Sequence, residues 1–322
     1  MGWLREDELP CAVVSVGNLT VGGTGKTPTT LWLAEEMACR GHRVAILSRG
    51  YGRKGSRSLI LEPGCDPLAD SSSTGDEPMI MAALYGQRVG VGKKRYDVAT
   101  RMLQKTDLDV ILLDDGFQHR RLRRDLDILL LGRDWKGWIL PAGPFREPRE
   151  GLRRAHRYIV TGSTDRWQAI LARTTGQSSC LHGSLKPQGL VARDDHRWVK
   201  VPLGKISGSK VLAVSGIADA SGFYQMIQEW GGEIVDTLEF PDHHRYSTKD
   251  WQRISRSARR VDRIITTEKD LVKLVRFPFA RDGIYALRVA MVVAEGDQLI
   301  DDVEAVLRAK QRDAGKTDPV HG

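Results

Sequence analysis

A chain of 322 residues with 41% hydrophobic content is long enough for two ordinary domains with real cores. Its formal net charge of +8 fits an anionic partner (nucleotide, phosphorylated lipid, membrane surface or nucleic acid) or a basic soluble protein with none. Cys11, Cys39, Cys65 and Cys180 are scattered without a CxxC pair, which points to neither a disulfide framework nor a zinc site and suits a reducing cytosol; no apolar run reaches membrane-spanning length, and no secretory leader is visible.

The first informative stretch runs from Val13 to Pro28. Val13, Val14 and Val16 read as a buried strand, a glycine-rich turn follows, and Leu31, Ala34 and Met37 recur at helical spacing. Strand, glycine-rich loop and helix form the context of a phosphate-binding loop. The candidate loop is Thr20, Val21, Gly22, Gly23, Thr24, Gly25, Lys26 and Thr27. Its glycines let backbone amides approach a phosphate, the helix start adds a positive dipole end, Lys26 reaches the β- and γ-phosphates, and the Thr27 hydroxyl suits Mg²⁺. In the GxxxxGK[ST] pattern the first glycine falls at Thr20 here. A turn that uses glycine for tightness alone explains the glycines but not Lys26-Thr27 after them.

A second strand covers residues 43–47, and Arg49 follows it on the ligand side of an open α/β sheet, as an anion contact or a solvated loop residue. Residues 71–75 form a small polar loop. Asp76 and Glu77 then precede Pro78 at a helix start, where carboxylates ordinarily cap. Residues 88–91 read as a strand with Lys93-Lys94-Arg95 beyond it, and 96–103 as a helix. Val110 to Leu113 running into Asp114 and Asp115 describe a buried parallel strand with two acids at its tip. Adjacent acids repel and desolvate, so they rarely serve stability; opposite a phosphate-binding loop they make a magnesium-nucleotide site. A dense basic patch, Arg120, Arg121, Arg123 and Arg124, comes next, then a strand over 127–131. Residues 140–148 are proline-rich and rigid, with Arg146 and Glu147 near their end. Residues 163–208 read as a connection between domains, and strands near 210–217, 234–235 and 263–267 with intervening helices say α/β again. Phe240-Pro241-Asp242-His243-His244 sits among them, where a histidine can be a metal ligand, a catalytic partner or an ordinary loop residue.

These motifs, in this order, resemble the tetraacyldisaccharide 4'-kinase family of lipid A biosynthesis: Val14 to Pro28, Ser48 to Gly52, Gly75 to Pro78, Asp114 to His119, Leu140 to Pro148, Phe240 to His243 and Thr266 to Lys273. The resemblance runs from about residue 13 to about residue 275. It implies two α/β/α sandwich domains: a P-loop nucleotide-binding domain over 1–183, a linker over 184–208, and a smaller domain over 209–322 that closes the cleft. It implies ATP and Mg²⁺ as cofactors and an acylated glucosamine disaccharide 1-phosphate as the lipid substrate, phosphorylated on its 4'-hydroxyl. It assigns Asp76 as the base and His243 as its partner, which overturns the capping reading. It places Thr27, Asp114 and Asp115 on the metal side, and Arg49, Gln118, Arg146 and Glu147 at the substrate or nucleotide cleft. No nucleic acid and no protein partner are implied. The cytoplasmic face of a bacterial inner membrane is the expected location. Family members usually carry an apolar N-terminal segment; here residues 1–10 precede Cys11, with Trp3 and Leu4 as anchors, so the start is misassigned or membrane contact relies on the basic patches.

Rival readings fit less well. A regulatory GTPase needs a guanine-reading Asn/Thr-Lys-x-Asp, and Lys269 and Asp270 are adjacent. A partition-type ATPase needs a lysine where Val21 stands, and a nucleic-acid binder needs aromatics among the arginines.

Overall fold

The computed structural model describes residues 6–53, 55–66, 74–132, 137–194, 197–278 and 283–316. Trp3, Leu4 and residues 71–73 of the polar loop lie outside them. The first half alternates β1 (Ala12–Asn18), α1 (Lys26–Cys39), β2 (Val44–Ser48), β3 (Leu59–Leu61), α2 (Asp76–Ala83), β4 (Val89–Val91), α3 (Arg95–Leu103), β5 (Val110–Asp114), β6 (Leu126–Leu131), β7 (Arg157–Val160) and α4 (Thr164–Thr175). The second half follows with β8 (Leu181–Asp194), β9 (Arg197–Val201), β10 (Lys210–Ser215), α5 (Ser221–Glu229), β11 (Glu233–Glu239), α6 (Thr248–Ser257), β12 (Arg263–Thr267), α7 (Glu268–Leu274), β13 (Ile284–Val293) and α8 (Gly296–Lys316).

The strands follow the order β11-β10-β12-β13-β8-β7-β6-β1-β5-β2-β4-β3, with β9 paired to β8. Most pairs are parallel, as an alternating βα chain dictates; β3 on β4, β9 on β8 and β13 on β8 are antiparallel. Strands β1, β5 and β6 are buried along their whole length, matching their unbroken apolar runs. Long β8 joins the halves: Leu181 and His182 pair in parallel with β7, and Gly183 to Val191 pair antiparallel with β13. The two sets of parallel strands therefore run in opposite senses, so the carboxyl edge of one can face the carboxyl edge of the other.

Residues 163–208 are more ordered than a connection. They hold α4, whose Trp167 and Leu171 are buried one helical turn apart, and the hairpin β8–β9. The expected linker, 184–208, is thus largely sheet. Helix α8 also crosses back to the first half: Leu299, Ile300, Val303 and Leu307 share one core cluster with Ala12, Val14 and Val16 of β1 and Leu31 to Met37 of α1. Among the described residues, no helix is long and apolar enough to cross a membrane.

Candidate active site

The phosphate-binding loop is built as the glycine pattern demands. Gly22 (φ 109°) and Gly25 (φ 88°, immediately before α1) hold left-handed backbone that only glycine adopts readily. A Cβ at Gly22 or Gly23 would meet nothing within 4 Å, so the loop opens on free space. Its flanks are braced. Thr20 forms a β-bridge with Phe145, the Val21 amide donates to Pro144 O at 2.8 Å, and the Asn18 side-chain amide donates to Thr24 Oγ1 at 2.9 Å. The rigid segment expected over 140–148 is thus the outer wall of this loop. Lys26 Nζ lies 3.4 Å from Gly22 O and 3.8 Å from Asp115 Oδ1. Burial depresses its pKa, and the Asp115 carboxylate works against that.

Asp114 ends β5, paired in register with Val16 of β1, and so lies beside the loop. Thr27 Oγ1 and Thr30 Oγ1 donate to its Oδ1 at 3.4 and 3.3 Å. Burial, with Asp115 and Glu77 adding to it, pushes its pKa up to about 7. A buried carboxylate whose pKa stays raised despite Lys26 and Arg95 nearby, beside a threonine hydroxyl and an open phosphate loop, fits a hard cation whose other ligands come from phosphate and water. Asp115, at φ 51°, turns away toward Arg146, whose Nη1 meets both of its oxygens at 2.8 and 2.9 Å. Burial disfavours the Asp115 carboxylate, but Lys26 and Arg146 outweigh it and hold the pKa low. Thr27 and Asp114 therefore stand closest to a metal-binding arrangement, with Asp115 engaged by arginine.

Gln118 and Glu147 complete this wall. Gln118 Nε2 donates to Asn18 O at 2.8 Å and to Glu147 Oε1 at 2.9 Å, while Arg154 holds the other Glu147 oxygen. Arg49 follows β2 as an exposed side chain, close enough for its charge to bear on Arg95 and His119. The arginine run after β5 is largely consumed: Arg121 meets Asp7, Arg123 meets Glu8, and Arg124 meets Asp127.

The second cluster forms between the halves. Asp76 begins α2 and His243 follows β11, 167 residues apart in sequence, yet His243 Nδ1 is 3.2 Å from Asp76 Oδ2. Lys273 Nζ lies 3.5 Å from the same Asp76 oxygen. Burial disfavours the Asp76 carboxylate, but the His243 hydrogen bond and Lys273 outweigh it and hold its pKa below the usual value. The Asp76 hydrogen bond in turn raises the His243 pKa against burial and Lys269. His243 is held at φ 59° with its amide on Asp242 Oδ1, and the Tyr51 ring centroid is 5.6 Å from its own. His244 is turned elsewhere, toward Asp250 at 3.1 Å. Glu77, the residue after Asp76, lies 3.9 Å from His243 Nε2 and acts electrostatically on Asp114 and Lys26, which ties the two clusters together.

Several members were not singled out from sequence. Arg95 is buried and its Nη2 donates to Asp114 O at 3.0 Å and Asp115 O at 3.1 Å; in the sequence it is one of three consecutive cations. Asn18, Thr30, Lys269 and Lys273 were equally unassigned. The last two recur four residues apart on α7, a spacing that puts both on one face.

Comparisons with known proteins identify the family. A family model described as tetraacyldisaccharide-1-P 4'-kinase matches residues 1–308. A tetraacyldisaccharide 4'-kinase of Syntrophus aciditrophicus is 41% identical over 290 residues, covering 84% of this chain and 77% of the relative. One from Anaeromyxobacter sp. strain K is 37% identical over 309 residues, covering 92% and 81%. A crystal structure of "apo" form LpxK from Aquifex aeolicus in complex with ATP superposes with a TM-score of 0.75 at 31% identity, over 94% of this chain and 91% of that one. A whole-chain match at such identity, over a phosphate loop and a facing acid–imidazole pair, places the chain in the tetraacyldisaccharide-1-P 4'-kinase family.

Proposed function

We propose that this chain transfers the γ-phosphoryl group of ATP to the 4'-hydroxyl of a tetraacylated glucosamine disaccharide 1-phosphate. The observation that carries the reading is the Asp76–His243 contact at 3.2 Å between the halves, linked through Glu77 to the phosphate-loop cluster. Asp76 is the base: its carboxylate, kept ionised by His243 and Lys273, takes the proton of the attacking hydroxyl. Lys26 and the loop amides hold the β- and γ-phosphates. Thr27 and Asp114 are the residues that would hold Mg²⁺, which, when bound, would neutralise charge on those phosphates. Arg146 and Arg95 keep Asp115 and the backbone of Asp114 in place. Arg49, Gln118 and Glu147 border the cleft.

The assay is turnover of the disaccharide 1-phosphate lipid with ATP and Mg²⁺. Asp76→Ala should lose about 10²–10⁴-fold in kcat, as removal of a general base does, with ATP affinity retained. Full activity in that variant overturns the assignment of the base, and absence of lipid product from the wild-type enzyme overturns the reaction.

The two halves are read as lobes, 1–183 and 209–322, that close on the substrate, with β8–β9 as the joint. The chain works at the cytoplasmic face of a membrane as a peripheral protein. What supports this is an exposed apolar run, Trp138 (77% exposed), Ile139 (44%) and Leu140 (48%), on the loop that walls the phosphate site. Co-sedimentation with lipid vesicles is the measurement.

A further inference from the structure

Lys269, on α7, stands where three groups meet. Its Nζ lies 2.8 Å from Asp242 Oδ1, 3.1 Å from His243 Nε2 and 3.6 Å from Glu77 Oε1. An ammonium has three protons and no lone pair, so whatever it meets must accept. Nε2 of His243 therefore presents its lone pair, and the ring of a neutral imidazole carries its one proton on Nδ1. That proton points at Asp76 Oδ2, 3.2 Å away. The opposite tautomer would set an N–H against the ammonium and a lone pair against a carboxylate, and both contacts would repel.

We propose that Lys269 is a positioning residue that holds His243 in its Nδ1–H tautomer, so that the imidazole donates to Asp76 and cannot itself take up the substrate's proton while Lys269 stays in place. The proposal rests on Asp76 acting as the base. In the transfer step the acceptor O–H bond breaks and its proton goes to the Asp76 carboxylate. The hydroxyl oxygen bonds to the γ-phosphorus, and the bridging bond to the departing nucleoside diphosphate breaks. With both ring nitrogens engaged, His243 has no free lone pair for that proton. It gains one only when Lys269 moves fully onto Asp242 and Glu77, which it already faces.

The groups around His243 all bear on this balance. Asp76 and Glu77 face it from α2, Asp242 from its own loop, Lys269 from α7, and the Tyr51 ring from the loop after β2; Lys273 stands behind Asp76. The carboxylates favour the imidazolium, with the Asp76 hydrogen bond the largest influence, and Lys269 opposes it. Removing Lys269 therefore takes away both the proton that saturates Nε2 and the one close cation that opposes the imidazolium.

The test is nitrogen NMR of the full chain labelled with ¹⁵N-histidine, in wild type, Lys269→Met and Lys269→Arg, with His243→Gln to identify the resonances. Above its titration, wild-type His243 should show a protonated Nδ1 and a bare Nε2. In Lys269→Met the His243 midpoint should rise by about one pH unit, the effect of losing one close like charge. Lys269→Arg, which keeps a cationic donor, should restore the wild-type tautomer; a merely structural lysine would change melting temperature and leave the midpoint alone. A proton on Nε2 in wild type, or equal midpoints in wild type and Lys269→Met, overturns the proposal. The tautomer is read in free enzyme, so failure of the lipid assay and failure of this inference are separable.

Discussion

At the scale of single residues, the site gathers two of the three non-glycine left-handed residues among those described: Asp115 and His243. Such conformations cost on the order of 1–3 kcal/mol and persist where the surroundings fix them. For Asp115 the fixing is visible: Arg146 grips the side chain and Arg95 the carbonyl. Arg95 is itself uncommon as a fully buried cation, and burial lowers its pKa to about 10 despite Asp115 and Asp114 nearby. Arg95→Leu would strip its donor from two carbonyls at the tip of β5. The expected outcome is a loss of roughly 1–3 kcal/mol of stability together with weakened Mg²⁺-dependent ATP binding. Thermal melting and nucleotide titration measure the two effects, and wild-type values in both would deny Arg95 this role.

At the scale of elements, α2 and α7 bring the two halves together, and the contact has a titratable centre. Tyr85, just past α2, donates its hydroxyl to Glu268 Oε2 at 3.0 Å on α7. Arg288 of β13 lies 3.9 Å from the Tyr85 ring centroid and pairs with Glu35 of α1 at 3.3 Å. The phosphate-loop helix α1, the Asp76-bearing helix α2 and the Lys269-bearing helix α7 thus meet around one cluster. Burial pushes the Glu268 pKa up from 4.5 to about 7, although Arg288 and Tyr85 pull it down. The folded state therefore holds a proton that the unfolded chain gives up. Its stabilising contribution is complete below pH 4.5 and is lost as pH rises through about 7. Glu268→Gln, which cannot ionise, should flatten this part of the profile: between pH 5 and 8 the wild-type melting temperature should fall more than the variant's. Parallel pH profiles would show that the group does not titrate across the contact.

At the scale of the whole molecule, the loop carrying Trp138, Ile139 and Leu140 closes on itself through Leu140 N to Phe145 O (2.7 Å) and Phe145 N to Trp138 O (3.2 Å). Phe145 in turn bridges Thr20 of the phosphate loop, so the apolar tip and the nucleotide site share one edge of the sheet. Replacing Trp138 and Leu140 together by serine should cut binding to vesicles containing anionic lipid several-fold, with turnover of detergent-dispersed substrate unchanged. Equal vesicle binding would move membrane contact elsewhere on the surface.

What was legible in the chain was local. The β1 valines, the glycines before Lys26 and the two acids after Val110 to Leu113 each announce a strand end and its chemistry, because backbone freedom, burial and charge at such sites depend on near neighbours. The segment 163–208 was harder to read, since β8 owes its length to pairing with β13, nearly a hundred residues later. Helix α8 likewise packs on β1 and α1 at the far end of the sequence. Only the tertiary structure shows that Asp76 and His243 come within 3.2 Å of each other, that Lys273 joins them on the same oxygen, and that Lys269 faces Nε2. Those outcomes depend on β8 running with one set of strands and against the other, which turns two carboxyl edges toward each other, and no spacing along the chain records that reversal.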